Sequence, residues 1–168
     1  MATNPTTLPA ALRALDITPP AIQTGYPEPF ASQVAGRVKR RLGDAFGLTN
    51  FGVNLCRLAP GAVSSMRHSH SAEDEFVYVL QGHPSLLTDA GLTTMSPGDC
   101  AGFKADASSK GDAHQLRNDS AEEVVYLEVG ARTEHDDVVY PDDDLALIRQ
   151  DGRHVFTHKD GRPYAADS

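Results

Sequence analysis

The sequence predicts a single all-β domain of the sandwich or barrel class. The chain has 168 residues, a length that is usual for one domain with one hydrophobic core. From about Val34 onward it consists of short apolar runs separated by turn-forming glycine, proline, aspartate and asparagine residues. Short β-type runs at such regular spacing are typical of β-sandwiches and β-barrels.

The composition divides the chain into three predicted segments. Six of the 11 prolines lie before residue 30, so residues 1–33 are predicted to form an extended arm that wraps the barrel, with a helical turn or two in AALRALD. Residues 34–131 are predicted to form the barrel. Residues 132–168 are predicted to be a C-terminal extension with short strands, in which two turns of Asp-Gly type frame the hairpin strand HVFTH.

Seven runs in the barrel segment are predicted as strands: FGVNLCRL, AVSSMRHSH, EFVYVL, PSLLTD, CAGF, HQLRN and EVVYLEV. EFVYVL and EVVYLEV are apolar on both faces, whereas a strand with one wetted face alternates apolar and polar residues. We therefore expect the arm or a second subunit to cover the outer face, and we predict a homodimer. The alternative is a sandwich whose other layer supplies the cover. Tyr78 and Tyr126 are predicted to pack in this outer layer.

The charge and the cysteine content argue against several classes of protein. With 23 acidic and 15 basic residues the net charge is −8, which opposes general binding to nucleic acids or anionic membranes. Cys56 and Cys100 are far apart and are predicted to be reduced thiols. The first residues lack the basic and apolar regions of a signal peptide, and no apolar run is long enough to span a bilayer, so we expect a cytoplasmic protein.

Four residues on predicted strands are suited to binding one metal ion. His68 and His70 are two residues apart, so their side chains share one strand face with Cα atoms roughly 6 to 7 Å apart. Glu75 opens the next strand, and His114 lies on a third. Three imidazoles and one carboxylate suit one divalent Fe, Mn, Ni, Co or Zn ion and, in octahedral geometry, leave two positions open.

Other interpretations of these residues remain open. His68 and His70 could form a solvent-facing pair on an edge strand, and His114 could be an ordinary hydrogen-bonded strand residue. Glu73 and Asp74 compete with Glu75, but the phase of EFVYVL favours Glu75. No second carboxylate is clearly in phase with these ligands, and no catalytic residue is assigned. The remaining histidines are predicted to lie in turns or at the surface: His83, His135, His154 and His158.

Two stretches resemble the sequence motifs of the cupin superfamily. The first is His68-Ser-His70-x4-Glu75-x6-Gly82, and the second is Pro97-Gly98-Asp99 followed by Gly111-x2-His114-x3-Asn118. The resemblance covers roughly residues 61–118 and implies a double-stranded β-helix, or jelly-roll barrel, with the metal in its mouth. The chain departs from the family pattern at Lys104, where the family usually has a proline, and the polar loop that follows is predicted to be a flap.

The resemblance extends to a subgroup of bacterial single-domain cupins whose reaction is generally unassigned, although some carry a sugar-phosphate isomerase label. It implies a metal-dependent enzyme acting on a small keto acid, hydroxy acid or sugar derivative. The reaction could be isomerisation, decarboxylation or oxygen activation. The alternative is a metal and small-ligand binding module without catalysis, acting as a sensor or carrier.

Overall fold

A computed structural model describes residues 8–108, 112–150 and 152–164. Within these ranges the chain forms twelve strands: β1 Arg37–Arg41, β2 Phe51–Leu58, β3 Ser69–His70, β4 Glu75–Gln81, β5 Ser85–Thr88, β6 Gly91–Thr94, β7 Cys100–Phe103, β8 Gln115–Arg117, β9 Val124–Ala131, β10 Val138–Tyr140, β11 Leu145–Gln150 and β12 Arg153–Thr157. The helical segments are a 3-10 turn, Ala14–Asp16, and the short helices α1, Phe30–Gln33, and α2, Leu42–Ala45. None of these helices is long and apolar enough to cross a membrane.

The strands form three antiparallel sheets. Their orders are β1-β2-β9-β4-β7, β12-β11-β10-β3 and β6-β5-β8. One core joins the first sheet to the third and includes Leu58, Val79, Leu116 and Tyr126. A second core packs the arm residue Phe30 against the four-stranded sheet. The all-β prediction is therefore confirmed, and residues of the sheets line a shared cavity.

Most strand predictions agree with the structure, and one is wrong. β2 and β7 have the predicted bounds, and β4, β5, β8 and β9 lie within one or two residues of the predicted runs. AVSSMRHSH does not form one strand, because only Ser69 and His70 are in β3. Ser64 instead accepts a hydrogen bond from the Leu116 N–H with its own hydroxyl, and such side-chain bonds compete with strand pairing. Strands β1, β6, β10 and β11 were not among the predicted runs.

The register of the five-stranded sheet determines which side chains face the cavity. Tyr126 pairs with Cys56, and Glu128 pairs with Asn54 on one side and Val77 on the other. Tyr126 is fully buried, so the prediction that it packs in the outer layer is wrong. Successive side chains of a strand point to opposite faces, so Tyr126 and Glu128 face the interior while Leu127 between them faces outward.

The outer face of β4 is not covered by the rest of the described chain. Phe76, Tyr78 and Leu80 point outward and are 42%, 38% and 45% exposed. Val125, Leu127 and Val129 of the neighbouring strand β9 are only partly buried. The sandwich alternative, in which another sheet of the same chain covers this face, is therefore wrong.

The arm closes one side of the cavity. The Gln23 carbonyl accepts a hydrogen bond from Arg37 Nη2 at 2.8 Å, and Gln23 Oε1 accepts one from the Lys39 N–H at 3.0 Å. Tyr26 packs edge-on against Tyr140, with ring centroids 5.8 Å apart. These contacts hold residues 20–26 against β1 and against the four-stranded sheet.

The C-terminal segment also builds part of the cavity wall. β10 pairs with β3, and β11 and β12 form the predicted hairpin at Gly152. The boundaries of the three predicted segments remain predictions. Parts of the predicted arm, flap, hairpin turn and tail, namely residues 1–7, 109–111, 151 and 165–168, lie outside the described residues.

Candidate metal centre

The four side chains predicted from the sequence line a cavity of about 740 Å³. Glu75 Oε2 lies 2.9 Å from Nε2 of His114, 3.4 Å from Nε2 of His70 and 3.5 Å from Nε2 of His68. All four side chains are largely buried. The donor atoms of His68, Glu75 and His114 lie within 4.8 Å of one another, which is close enough to share one cation, and His70 adjoins this group through Glu75.

The backbone sets this arrangement. His68 and His114 exchange two main-chain hydrogen bonds, of 3.1 and 2.8 Å, which hold the two segments side by side. His70 ends β3, two residues beyond His68, so both rings point into the cavity. Glu75 is the first residue of β4 and pairs with Gly130 of β9.

Contacts on the far side of the rings fix their orientation. His70 Nδ1 is 2.6 Å from Asp136 Oδ2, and His68 Nδ1 is 2.9 Å from the Met66 carbonyl. The ring of His114 stacks on Phe103 with centroids 3.5 Å apart and planes at 4°. When Nδ1 donates to an acceptor, Nε2 presents its lone pair, which is the arrangement that metal-binding histidines need.

The donor atoms fit a divalent metal ion. His70 Nε2 is buried and has no hydrogen-bond partner among the described residues. A buried imidazole nitrogen without a partner is costly unless something else occupies it. The set of three imidazoles and a carboxylate matches the preference of Fe, Mn, Ni, Co and Zn.

The buried charges shift the pKa values of these groups. Burial disfavours the charged ring of His68 and lowers its pKa. Burial acts in the same direction on His70, but Asp136 and Glu75 outweigh it and raise the pKa of His70 to about 10. Burial also opposes ionisation of Glu75, yet the three histidines outweigh it and hold its pKa well below the usual range. Glu75 is therefore ionised and His70 protonated at neutral pH in the metal-free chain.

Asp136 is a site residue that the sequence analysis missed. It is 3% exposed, and its Oδ1 accepts hydrogen bonds from the backbone N–H groups of Ala72 and Glu73 at 2.8 and 3.1 Å. His70, Glu73 and Asp136 also form a second group of clustered donor atoms. Because both Asp136 oxygens already accept hydrogen bonds, we assign it to positioning His70. It lies 66 residues beyond His70 in an irregular segment, where no periodic pattern marks it.

Glu128 was also missed, because no second carboxylate was recognised in the sequence as clearly in phase with the predicted ligands. Its Oε1 accepts hydrogen bonds from Lys39 Nζ at 2.7 Å and Asn54 Nδ2 at 3.0 Å. Its Oε2 lies 3.8 Å from Cys56 Sγ. Glu128 lines the same cavity as the histidines. The alternation Val124, Tyr126, Glu128 along β9 was the sequence signal that pointed to it.

The remaining histidines do not line the cavity. His83 lies 3.4 Å from Ser96 Oγ, and His158 lies 2.8 Å from Asp144 Oδ2. His135 and His154 are exposed. These positions agree with the turn and surface locations expected from the sequence.

The antiparallel β-sheets and the cluster of histidine and glutamate side chains in the cavity are features that this chain shares with a known protein family. A family model described as "Cupin domain" matches residues 54–130. A solved structure from Silicibacter pomeroyi, described as a sugar phosphate isomerase from a cupin superfamily, is 43% identical; the match covers 86% of this chain and 90% of that chain, with a TM-score of 0.79. The chain belongs to the cupin superfamily, and the predicted jelly-roll fold is confirmed.

Two other solved structures show the same fold. One from Acidithiobacillus ferrooxidans, provisionally described as a sugar phosphate isomerase, is 34% identical over 78% of this chain and 81% of that chain, with a TM-score of 0.67. The polyketide cyclase RemF from Streptomyces resistomycificus is 18% identical over 72% of this chain and 78% of that chain, with a TM-score of 0.58, and shows a likeness of fold alone. No curated protein matches the chain.

Proposed function

We propose that this cupin is a metal-dependent isomerase acting on a small phosphorylated sugar. The observation that carries the proposal is the convergence of three ring nitrogens on the Glu75 carboxylate inside a cavity large enough for such a substrate. The relatives at 43% and 34% identity, both described as sugar phosphate isomerases, favour isomerisation over decarboxylation or oxygen activation.

His68, His70, Glu75 and His114 would hold one divalent transition metal. When bound, such an ion supplies a Lewis acid that polarises a substrate carbonyl. Asp136 keeps the His70 ring turned so that Nε2 faces the cavity. Phe103 and the main-chain bonds to His68 hold His114 in place.

Glu128 moves the proton in this proposal. Isomerisation of an aldose to a ketose moves one proton from the hydroxyl-bearing carbon to the carbonyl carbon and a second proton from that hydroxyl to the carbonyl oxygen. Among the described residues Glu128 Oε2 has no donor stronger than the Cys56 thiol, so it can accept the proton from the carbon beside the carbonyl and return it to the carbonyl carbon. Glu128 pairs directly with Val77, which makes Glu75 its diagonal neighbour, roughly 7 to 8 Å away.

Lys39 forms an ion pair with Glu128. Burial lowers the pKa of Lys39, but the charge of Glu128 outweighs this and the net pKa is raised, so Lys39 stays protonated. Its ammonium group and the Asn54 amide fix Oε1 and leave Oε2 toward the cavity.

We also propose that two copies of the chain associate through the outer face of β4, where Phe76, Tyr78 and Leu80 are exposed. A contiguous apolar surface of this kind is typical of an interaction site. The reduced cysteines support a cytoplasmic location.

Metal analysis and a substrate panel test the proposed activity. The full-length protein is assayed for bound metal and for interconversion of pentose and hexose phosphates. Wild type should bind about one divalent ion per chain and show turnover, whereas His70→Ala should lose both. Glu128→Gln should keep the metal and lose turnover roughly 100-fold or more. Glu122→Gln, an exposed glutamate on a turn, is the matched control and should behave as wild type.

The opposite results would contradict the proposal. Metal binding without turnover on any sugar phosphate would favour the non-catalytic binding module. Full turnover by Glu128→Gln would remove Glu128 from the mechanism. Thermal melting of each variant separates loss of activity from loss of folding.

A further inference from the structure

Strand β1 places three cations on the cavity wall. Arg37, Lys39 and Arg41 occupy alternate positions of the strand, so their side chains share one face, and all three line the cavity. The carboxylates that line it, among the described residues, are Glu75 and Glu128. The whole chain has 15 basic and 23 acidic residues. The cavity is therefore basic within an acidic protein, and a bound divalent metal would add to its positive charge.

The three cations differ in how many of their hydrogen-bond donors are already used by other residues of the protein. Arg37 is 8% exposed and donates hydrogen bonds to the carbonyls of Ser64 and Gln23. Lys39 donates to Glu128 and, as an ammonium group, has further donors. Arg41 has one long contact among the described residues, 4.0 Å from its Nη1 to Asp44 Oδ2, and its side chain is 56% exposed. Arg41 therefore keeps its guanidinium donors available for a ligand.

The sheet places these cations opposite the candidate metal centre. Arg41 pairs with Asn54, which pairs with Glu128 in the same cross-strand row. β1 is three strands away from β4, which carries Glu75, and neighbouring strands lie about 4.8 Å apart, so the two strands are separated by roughly 14 Å. A ligand with an anionic group at one end and a carbonyl at the other would reach both walls, with Glu128 between them.

We propose that Arg41 and Lys39 form an anion subsite that binds the phosphate group of the substrate. The assignment of the anion to a substrate rests on the proposed function, but binding of the anion itself does not require the metal. Arg41 supplies a planar fork of donors that matches phosphate oxygens, and Lys39 supplies a compact positive charge. Arg37 lies on the same strand face, but its guanidinium group is bound to two carbonyls. It therefore adds positive potential to this wall without contacting the phosphate itself.

The test measures phosphate binding in the absence of metal, because phosphate could otherwise bind the ion. Full-length protein, freed of metal and of chelator, is titrated calorimetrically with inorganic phosphate. Arg41→Ala should weaken phosphate binding roughly tenfold to a hundredfold, since it removes charge-assisted hydrogen bonds. Arg153→Ala removes an exposed arginine on β12, away from the cavity lining, and should bind phosphate as wild type does.

The outcomes separate this proposal from the proposed function. Absence of phosphate binding to the metal-free protein, or equal binding by wild type and Arg41→Ala, would overturn the subsite. Acetate is titrated in parallel, and equal affinity for acetate and phosphate would overturn the assignment to phosphate. Phosphate binding that depends on Arg41 without any turnover of sugar phosphates would support the subsite and contradict the isomerase. Melting temperatures verify that both variants are folded.

Discussion

Asp136 accepts a hydrogen bond from His70 Nδ1 over 2.6 Å and so joins the segment before β10 to the candidate metal centre. Asp136→Asn should weaken metal binding roughly tenfold to a hundredfold, because a carboxylate in this position orients the ring and strengthens its donor nitrogen. Competition against a chelator of known affinity measures the change. Asp137→Asn, at the next and more exposed position, is the control. Equal affinities for Asp136→Asn and wild type would show that Asp136 does not position His70.

The stability of the metal-free protein should fall at alkaline pH. The pKa of His70 is raised from 6.5 to about 10 by Asp136 and Glu75, against the effect of burial. A group whose pKa is raised by folding stabilises the folded state fully below its unfolded pKa, and this contribution is lost as the pH rises through the folded value. The free energy of unfolding should therefore decrease between about pH 6.5 and pH 10.

Urea unfolding of metal-free protein across this range measures the effect. The decrease should be smaller in Asp136→Asn, where the main partner of the charged His70 ring is gone. Loss of stability in acid has a different origin. His70 lowers the pKa of Asp136 from 3.8, so the ionised carboxylate stabilises the folded state above pH 3.8, and this contribution is lost only at lower pH. A free energy of unfolding that is constant between neutral and alkaline pH would contradict the charged state assigned to His70.

The oligomeric state should depend on the outer face of β4. Phe76→Lys places a charge on the exposed apolar surface and should convert a dimer into a monomer, as measured by light scattering after size-exclusion chromatography. Leu92→Lys is the control, because Leu92 is 60% exposed but lies on β6 in another sheet. A wild-type protein that is monomeric at micromolar concentration would contradict the proposed dimer.

The two thiols should differ in reactivity. Cys56 is fully buried, and burial together with the neighbouring Glu128 raises its pKa, so its reactive thiolate form is disfavoured. Cys100 is exposed at the start of β7. A maleimide reagent should label one thiol per native chain and two after unfolding. Rapid labelling of both thiols in the native protein would show that Cys56 is reached from the cavity.

The sequence predicted the parts of the fold that local patterns encode. Apolar runs bounded by turn residues located β2, β4 and β9, and the spacing of His68, His70 and Glu75 identified the residues that meet in the structure. β1 was missed because RVKRR carries four cations, and a charged strand is recognised only when the cavity on its inner face is known. Asp136 was missed for another reason, since its contact with His70 depends on the path of the chain through the whole second sheet.

The inward position of Glu128 could not be predicted from the sequence for a third reason. EVVYLEV was interpreted as apolar on both faces, because Glu128 is the one charged residue within VVYLEV and does not disturb the average pattern. The register with β2 and β4 decides that this glutamate and Tyr126 face inward, and a sequence without known pairing leaves that register open.

The paired main-chain bonds between His68 and His114 separate the geometry of the cluster from the identity of its side chains. The backbone holds these two positions at a fixed spacing whichever residues occupy them. Replacing one imidazole by another ligating side chain would thus change metal preference while leaving the scaffold intact, which makes positions 68 and 114 natural starting points for reprogramming the chemistry of this barrel.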